Sequence, residues 1–402
     1  MSRLGKRNRR EVRNRMKTRR LVFLGLWILS LAAITNYGGA VSYGFFFGMT
    51  MIPVVSLVYM ICVYSRFKIY QEIGSRSMVC GQPEKYLFVL QNESFFSFTS
   101  VSVRLFSDFS YVEEMPGDVE YELLPGDRFS FETRIVCRYR GEYEVGVKEV
   151  VVTDFFRLFR LRYHNPGTVK ALVSPKVAPL TELKSIGEFQ TLLRREILGG
   201  TEMDILVRDY REGDPPRQIH WKQAAREQKL KTRLRIGEEK EGIALFCDMK
   251  RYGREREQYL PLENKMLEVL LALGFFFAGK DAGFSVYYSQ NVLVKKQVQG
   301  MKDFDAFYRE MDEAVFREDE DLYGTLDQAM SGGNLWRSKL VFFVLHDLDE
   351  QILEMTKQLA AEGTMVVIYA VTDSGQEQYV RQSSERRKIV AVPIETELEG
   401  VL

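Results

Sequence analysis

Two uncharged apolar runs near the start of the chain limit its architecture more than any other feature. Leu21 to Thr35 is apolar, Asn36-Tyr37-Gly38-Gly39 interrupts, and Phe45 to Tyr64 then runs twenty residues without a charge. About 20 apolar helical residues cross the hydrocarbon core of a bilayer, so the second run is long enough. The first spans only by extending through Tyr37, with its aromatic end at the interface. No small-residue cleavage site separates the runs, which disfavours a removed signal peptide. The pattern predicts a transmembrane helical hairpin with a very short outer turn. A hairpin that dips into lipid without crossing is the alternative.

Charge orients that hairpin. Residues 1–20 carry ten Lys/Arg against Glu11 alone, a net of +9, and the whole chain is +1, which leaves the rest at −8. Arg66 and Lys68 follow the second run. Basic flanks stay on the cytoplasmic side, so both termini and everything after Ser65 are expected in the cytoplasm of a cell membrane. A net-acidic body argues against a general nucleic-acid binder. The basic arm reads instead as a topology determinant touching the anionic lipid bilayer. Cys62, Cys80, Cys137 and Cys247 show no paired spacing, so buried free thiols in a reducing compartment are expected.

Residues 66–175 change period. Phe129, Phe131, Thr133, Ile135, Cys137 and Tyr139 alternate with Ser130, Glu132, Arg134, Val136 and Arg138, which predicts a strand with one buried face. Further strands are expected over 86–90, 100–106, 119–123 and 143–153, separated by Pro116-Gly117-Asp118, Pro125-Gly126-Asp127 and Gly141. Short strands at this spacing suggest an all-β sandwich of immunoglobulin-like type. Residues 176–240 link this region to the next, with Gly199-Gly200 as an expected hinge.

From 241 to 402 the rhythm is α/β. Apolar strands are expected over 243–247, 284–289, 340–345, 364–372 and 388–393, with helices over 261–280, 302–316 and 350–362. Continuous apolar strands alternating with helices predict a parallel, doubly wound sheet.

The linking segment holds the most distinctive string: Arg208-Asp209-Tyr210-Arg211-Glu212-Gly213-Asp214-Pro215-Pro216-Arg217-Gln218-Ile219-His220-Trp221-Lys222-Gln223-Ala224-Ala225-Arg226. Gly213 and Asp214 predict a turn, Asp214 an N-cap, and Pro215 the first residue of a helix reaching about Gln228. Lys222, Arg226 and Lys229 then share a face at repelling spacings, which calls for an acidic counterpart from this chain or a partner. His220 reads as an orienting or packing residue and Trp221 as a core anchor. The charged residues read as an ion-pair network fixing a domain junction. The sharper alternative is an anion or acidic peptide held by Arg211, Arg217, Lys222 and Arg226.

The string, with Val207 ahead of it, resembles the signature Val-Arg-x-Tyr-x-x-Gly-Asp-x-x-Arg-x-Ile-x-Trp-x-x-x-Ala-Arg of the domain of unknown function 58 family. The segment 153–159 is similar to a second family pattern, in which a strand ends in Asp-Pro-Phe-Gly-Leu-Phe. Phe155 and Arg157 replace its Pro and Gly, and Phe156, Leu158 and Phe159 are expected as core anchors. The resemblance implies a von Willebrand factor type A-like C-terminal domain and a MoxR-type AAA+ ATPase as partner. In type A domains a divalent metal is held by Asp-x-Ser-x-Ser, a Thr and a further Asp, all hard oxygen ligands. Asp248, a loop Thr325 and Asp347 match, but Lys250 and Tyr252 stand where the serines should be. The expectation is a degenerate site without metal, with the Lys250 ammonium supplying the missing positive charge.

No phosphate-binding loop, His-Glu-x-x-His or Gly-x-Ser-x-Gly occurs, and no cofactor is implied. Glu238, Glu239 and Glu241 read as neutralising the basic helix. The preferred reading is a membrane-anchored, non-enzymatic scaffold or adaptor in the assembly of envelope proteins. A metal-dependent hydrolase using Asp248, Asp347 and His220, or an anion-binding sensor, are the alternatives.

Overall fold

A computed structural model describes residues 3–115, 118–164, 167–185, 206–209, 229, 231–234, 242–280, 282–331, 335–372, 380 and 382–401. The chain divides after Pro175 into two compact units, Met1–Pro175 and Lys176–Leu402.

The first unit opens with α1 (Arg3–Tyr37) and α2 (Ala40–Arg66). Both apolar runs are helical, and α1 does continue through Tyr37, with Gly38 and Gly39 turning the chain at φ 56° and 92°. The helices contact each other, and Trp27 Nε1 donates to Thr50 Oγ1 at 3.1 Å. Each is long and apolar enough to cross a membrane. In the last turns of α2, Ser56, Met60 and Val63 are buried. Their i, i+4, i+7 spacing puts them on one face, which rests on the β core.

Eleven strands follow: β1 (Phe67–Ile73), β2 (Ser77–Val79), β3 (Pro83–Asn92), β4 (Phe98–Leu105), β5 (Ser110–Val112), β6 (Asp118–Leu123), β7 (Arg128–Cys137), β8 (Gly141–Val145), β9 (Val147–Thr153), β10 (Arg160–His164) and β11 (Val169–Ser174). They form three sheets, in the orders β1-β3-β7-β5, β10-β9-β4-β6 and β2-β11-β8. The single strand expected over 143–153 is two, because Gly146 at φ 82° breaks it and sends β8 and β9 to different sheets. A side chain at Gly146 has no room, since its Cβ would lie 2.5 Å from Gln71 Oε1. The β7 alternation also fades: Ile135, Val136 and Cys137 are all buried, whereas Phe129 is exposed. Phe156 is exposed as well, contrary to its expected place in the core, while Leu158 is buried and Phe159 packs against the core. The turn explains this, because Arg157 adopts φ 57° between the Phe pair and Leu158.

In the second unit, β12 (Leu206–Asp209) pairs antiparallel with β13 (Lys231–Leu234). The remaining elements are β14 (Ile243–Cys247), α3 (Arg256–Gly279), β15 (Phe284–Ser289), β16 (Leu293–Val298), α4 (Met301–Glu313), α5 (Leu322–Ser331), β17 (Leu340–Leu345), α6 (Glu350–Ala361), β18 (Met365–Thr372) and β19 (Arg387–Pro393). Strands β14 to β19 make one six-stranded sheet in the order β16-β15-β14-β17-β18-β19. All neighbours are parallel except β16, an antiparallel edge absent from the sequence reading.

Alternation along each strand divides the core in two. Leu245 and Cys247 of β14 join α3 and α4, whereas Ala244 and Phe246 join α5 and α6. Helices therefore cover both faces of the sheet. Helix α3 is apolar nearly all round because it is buried nearly all round, from Leu262 to Ala278.

Candidate functional site

In an open parallel sheet, ligands sit beyond the carboxyl ends of the strands where the connections reverse direction. Strand β14 has β15 on one side and β17 on the other, so the reversal lies between β14 and β17. The carboxyl ends there present Asp248 and His346-Asp347.

Asp248 is 2% exposed, and its backbone N–H is tied to Val344 O at 3.0 Å. Its carboxylate is satisfied from within the chain. Lys250 N–H donates to Oδ1 at 2.9 Å and the Tyr252 hydroxyl to Oδ2 at 2.7 Å. The Tyr252 ring meets the His346 ring edge-on at 4.6 Å, and His346 Nδ1 lies 2.7 Å from Val371 O. These contacts link β14, β17 and β18 through one small polar cluster.

Burial raises the Asp248 carboxyl to about 6. The Lys250 amide, the Tyr252 hydroxyl, His346 and Lys250 all oppose this, and desolvation outweighs them together. The Tyr252 hydroxyl is pushed far above its ordinary value, first by burial and then by Asp248. It stays protonated and remains the donor.

Lys250 acts on Asp248 in two ways: its backbone amide donates to the carboxylate, and its ammonium, 5.8 Å from the centroid of the Tyr252 ring, favours the charged carboxylate as expected. The expected place of Thr325 needs correction. It falls inside α5 rather than in a loop, and its hydroxyl donates to Asp321 O at 2.8 Å. Asp347 is exposed at the rim.

A magnesium-type cation wants several hard oxygens with free lone pairs. Both Asp248 oxygens accept from the protein, the Thr325 hydroxyl serves its own helix, and Lys250 and Tyr252 replace two oxygen ligands. This donor set does not fit the metal. Among the described residues no group of three His, Cys, Asp or Glu is arranged to hold one either.

Beside the cluster, Lys250 bridges Arg317, and Arg251 N donates to Arg317 O at 2.8 Å. The Arg317 guanidinium donates to Asn291, while the Ser289 hydroxyl donates to Glu320. Tyr323 donates to Asp349, which pushes the Tyr323 hydroxyl up to about 12. Ser289, Arg317, Glu320 and Tyr323 were not marked by the sequence, and Tyr252 was noted only as a departure from the serine pattern. Ser289 ends β15, and the others lie on connections or a helix start, where no motif marks them.

The signature string enters and leaves through adjacent strands: Arg208 sits opposite Thr232 and Asp209 opposite Lys231. Tyr210, Arg211, Gly213, Asp214, Arg217, His220, Trp221, Lys222 and Arg226 lie outside the described residues, as does the helix expected over 215–228. So do Gly199, Gly200, Glu238, Glu239 and Glu241.

The architecture is thus a pair of apolar N-terminal helices, a β-rich region of several sheets, and a six-stranded sheet with helices on both faces. Residues 206–402 match the family model described as protein of unknown function DUF58, and the chain belongs to that family through this C-terminal half. No curated protein matches the chain.

Among solved structures, trypsin-activated alpha-2-macroglobulin from Escherichia coli is similar at 17% identity and a TM-score of 0.22. The match covers 27% of this chain and 7% of that one, so the chain spans a small fraction of that protein's length. The CARDB domain of a Pyrococcus furiosus protein, solved with di-metal ions, is similar at 12% identity and a TM-score of 0.19, covering 27% and 91%. At these scores neither likeness defines fold or function.

Proposed function

We propose that this protein is a membrane-anchored, non-enzymatic scaffold. Helices α1 and α2 cross the membrane as a hairpin, with the basic arm and both soluble units on the cytoplasmic side. The β-rich region is an immunoglobulin-like sandwich, and the C-terminal sheet is a von Willebrand factor type A-like domain. Its carboxyl-end rim docks a MoxR-type AAA+ ATPase that works on envelope proteins.

The observation that carries this reading is the self-satisfied Asp248. A hydrolytic or metal-dependent site needs a carboxylate with a free lone pair facing substrate or ion. Here Lys250 N–H and the Tyr252 hydroxyl each occupy a lone pair of a carboxylate that is 2% exposed, so the group is turned into the protein and not toward a substrate or ion.

The test is co-purification of a MoxR-type ATPase with the full chain in detergent. Retention of the ATPase by the wild type, and its loss with Asp347→Arg at the exposed rim, are expected. Undiminished retention after removal of residues 176–402 would overturn the assignment of the docking surface.

A further inference from the structure

Four phenylalanines in loops of the first unit are exposed: Phe95 at 91%, Phe96 at 55%, Phe155 at 57% and Phe156 at 51%. They belong to two loops, one between β3 and β4 and the other between β9 and β10. Exposed aromatics grouped in this way mark an interaction surface.

Both loops are built structures. Buried Asn92 organises the first, its Nδ2 donating to Phe96 O, Leu123 O and Leu124 O at 2.8, 3.1 and 3.0 Å. Its Oδ1 accepts from Ser94 N at 3.0 Å and from the Ser94 hydroxyl at 2.6 Å. In the second loop, Asp154 Oδ1 accepts Phe159 N–H at 2.7 Å and Asp154 O accepts Arg157 N–H at 3.0 Å. The phenylalanines are held out on rigid turns.

The two loops meet at the apolar helices. The Tyr59 hydroxyl of α2 donates to Ser97 O of the first loop at 2.8 Å, and the Tyr59 ring lies 4.6 Å from the Phe155 ring of the second. Arg20 of α1 donates from Nε to Leu158 O at 2.8 Å.

The level of these contacts along the hairpin follows from its register. Trp27 bonds Thr50, so in an antiparallel pair Arg20 lies level with Leu57. Tyr59 is two residues nearer the basic end, a rise of about 3 Å. Arg20 is the last charge before the apolar run of α1, and it marks where hydrocarbon would begin. Both aromatic loops are therefore fastened to the helices at the height of the lipid headgroups, where aromatic side chains partition favourably.

We infer that Phe95, Phe96, Phe155 and Phe156 insert into the headgroup layer of the bilayer that α1 and α2 cross, and seat the β-rich region flat on its surface. This rests on the reading of α1 and α2 as membrane-spanning. The occupant is lipid, because the patch is continuous with the helices at the membrane boundary. Exposed Lys17 and Arg19 stand beside it and favour anionic headgroups.

The experiment places the full chain in phosphatidylcholine–phosphatidylglycerol vesicles carrying nitroxide lipids labelled at shallow or deep positions, and reads tryptophan emission. Phe95→Trp and Phe156→Trp change exposed side chains and leave the core untouched. Relative to wild type, the emission each adds should be lost to the shallow label more than to the deep one. Tyr111→Trp is the control. Tyr111 lies opposite Val136, eight residues along β7 from Arg128, which pairs with Gln91 beside the first loop. At 3.3 Å per residue that is about 26 Å away, and no quenching is expected there.

Trp27 separates the two ways of failing. Emission quenched by the deep label in wild type and missing from Trp27→Phe means that the hairpin is in the bilayer. With that signal present, added tryptophans as unquenched as Tyr111→Trp would overturn the inference and leave the patch to a protein partner. Without it, the membrane-spanning reading falls and takes the inference with it.

Discussion

The Tyr252 hydroxyl donates to Asp248 Oδ2 at 2.7 Å, so a residue four positions along the chain supplies a hydrogen bond to a carboxylate that is 2% exposed. Together with the Lys250 amide it closes the carboxyl end of β14 from inside.

Asp248 should make stability pH-dependent. Its folded value of about 6 lies above the ordinary 3.8, so the folded state binds the proton more tightly than the unfolded state. Stability from this group is full below about pH 4 and is lost as pH rises through 6. The loss amounts to about 3 kcal/mol at ~1.4 kcal/mol per unit. Asp248→Asn should flatten the unfolding profile between pH 4 and 6.5, measured by hydrogen exchange of the β14 amides in the detergent-solubilised full chain. An unchanged slope in that window would contradict the burial argument.

Tyr252→Phe removes the hydroxyl and leaves the ring against His346. Oδ2 of Asp248 then has no donor, at a cost of about 1–3 kcal/mol for a buried polar group. The carboxyl should titrate above 6, since the Tyr252 hydrogen bond lowers it. Carbon-13 NMR of the Asp248 carboxyl checks this, and a value at or below 6 counts against it.

Asn92→Ala strips donors from three carbonyls around the first aromatic loop. A destabilisation of about 2 kcal/mol is expected, at roughly 1 kcal/mol for each of the two amide N–H donors that the three carbonyls share. Faster exchange of the Ser94 and Phe96 amides should accompany it. Asn92→Asp should not rescue the variant, because a carboxylate cannot donate. Rescue would show that the loop is held by something other than the amide.

Much of this architecture is legible in the residues, and the exceptions have physical causes. Run length makes α1 and α2 visible, because a helix able to cross a bilayer needs about 20 apolar residues in a row. The strands β14, β17 and β18 are visible as near-continuous apolar runs, because both of their faces are buried. The division of β8 from β9 is hidden, since residues 143–153 keep a strand-like composition and only the backbone of Gly146 departs. Phe156 reads as core by composition, and the left-handed turn at Arg157 turns it outward. Asp248 is visible as a polar residue ending an apolar strand. The role of Tyr252 is not, because a loop that folds back to its own strand has no period to follow.

The central claim is that α1 and α2 cross the membrane and keep the rest of the chain on the inner side. A reporter that is active only in the cytoplasm, fused after Leu402, measures this most directly, with a reporter active only outside as its pair. The account predicts signal from the first and silence from the second. Activity from the outer reporter alone would contradict it.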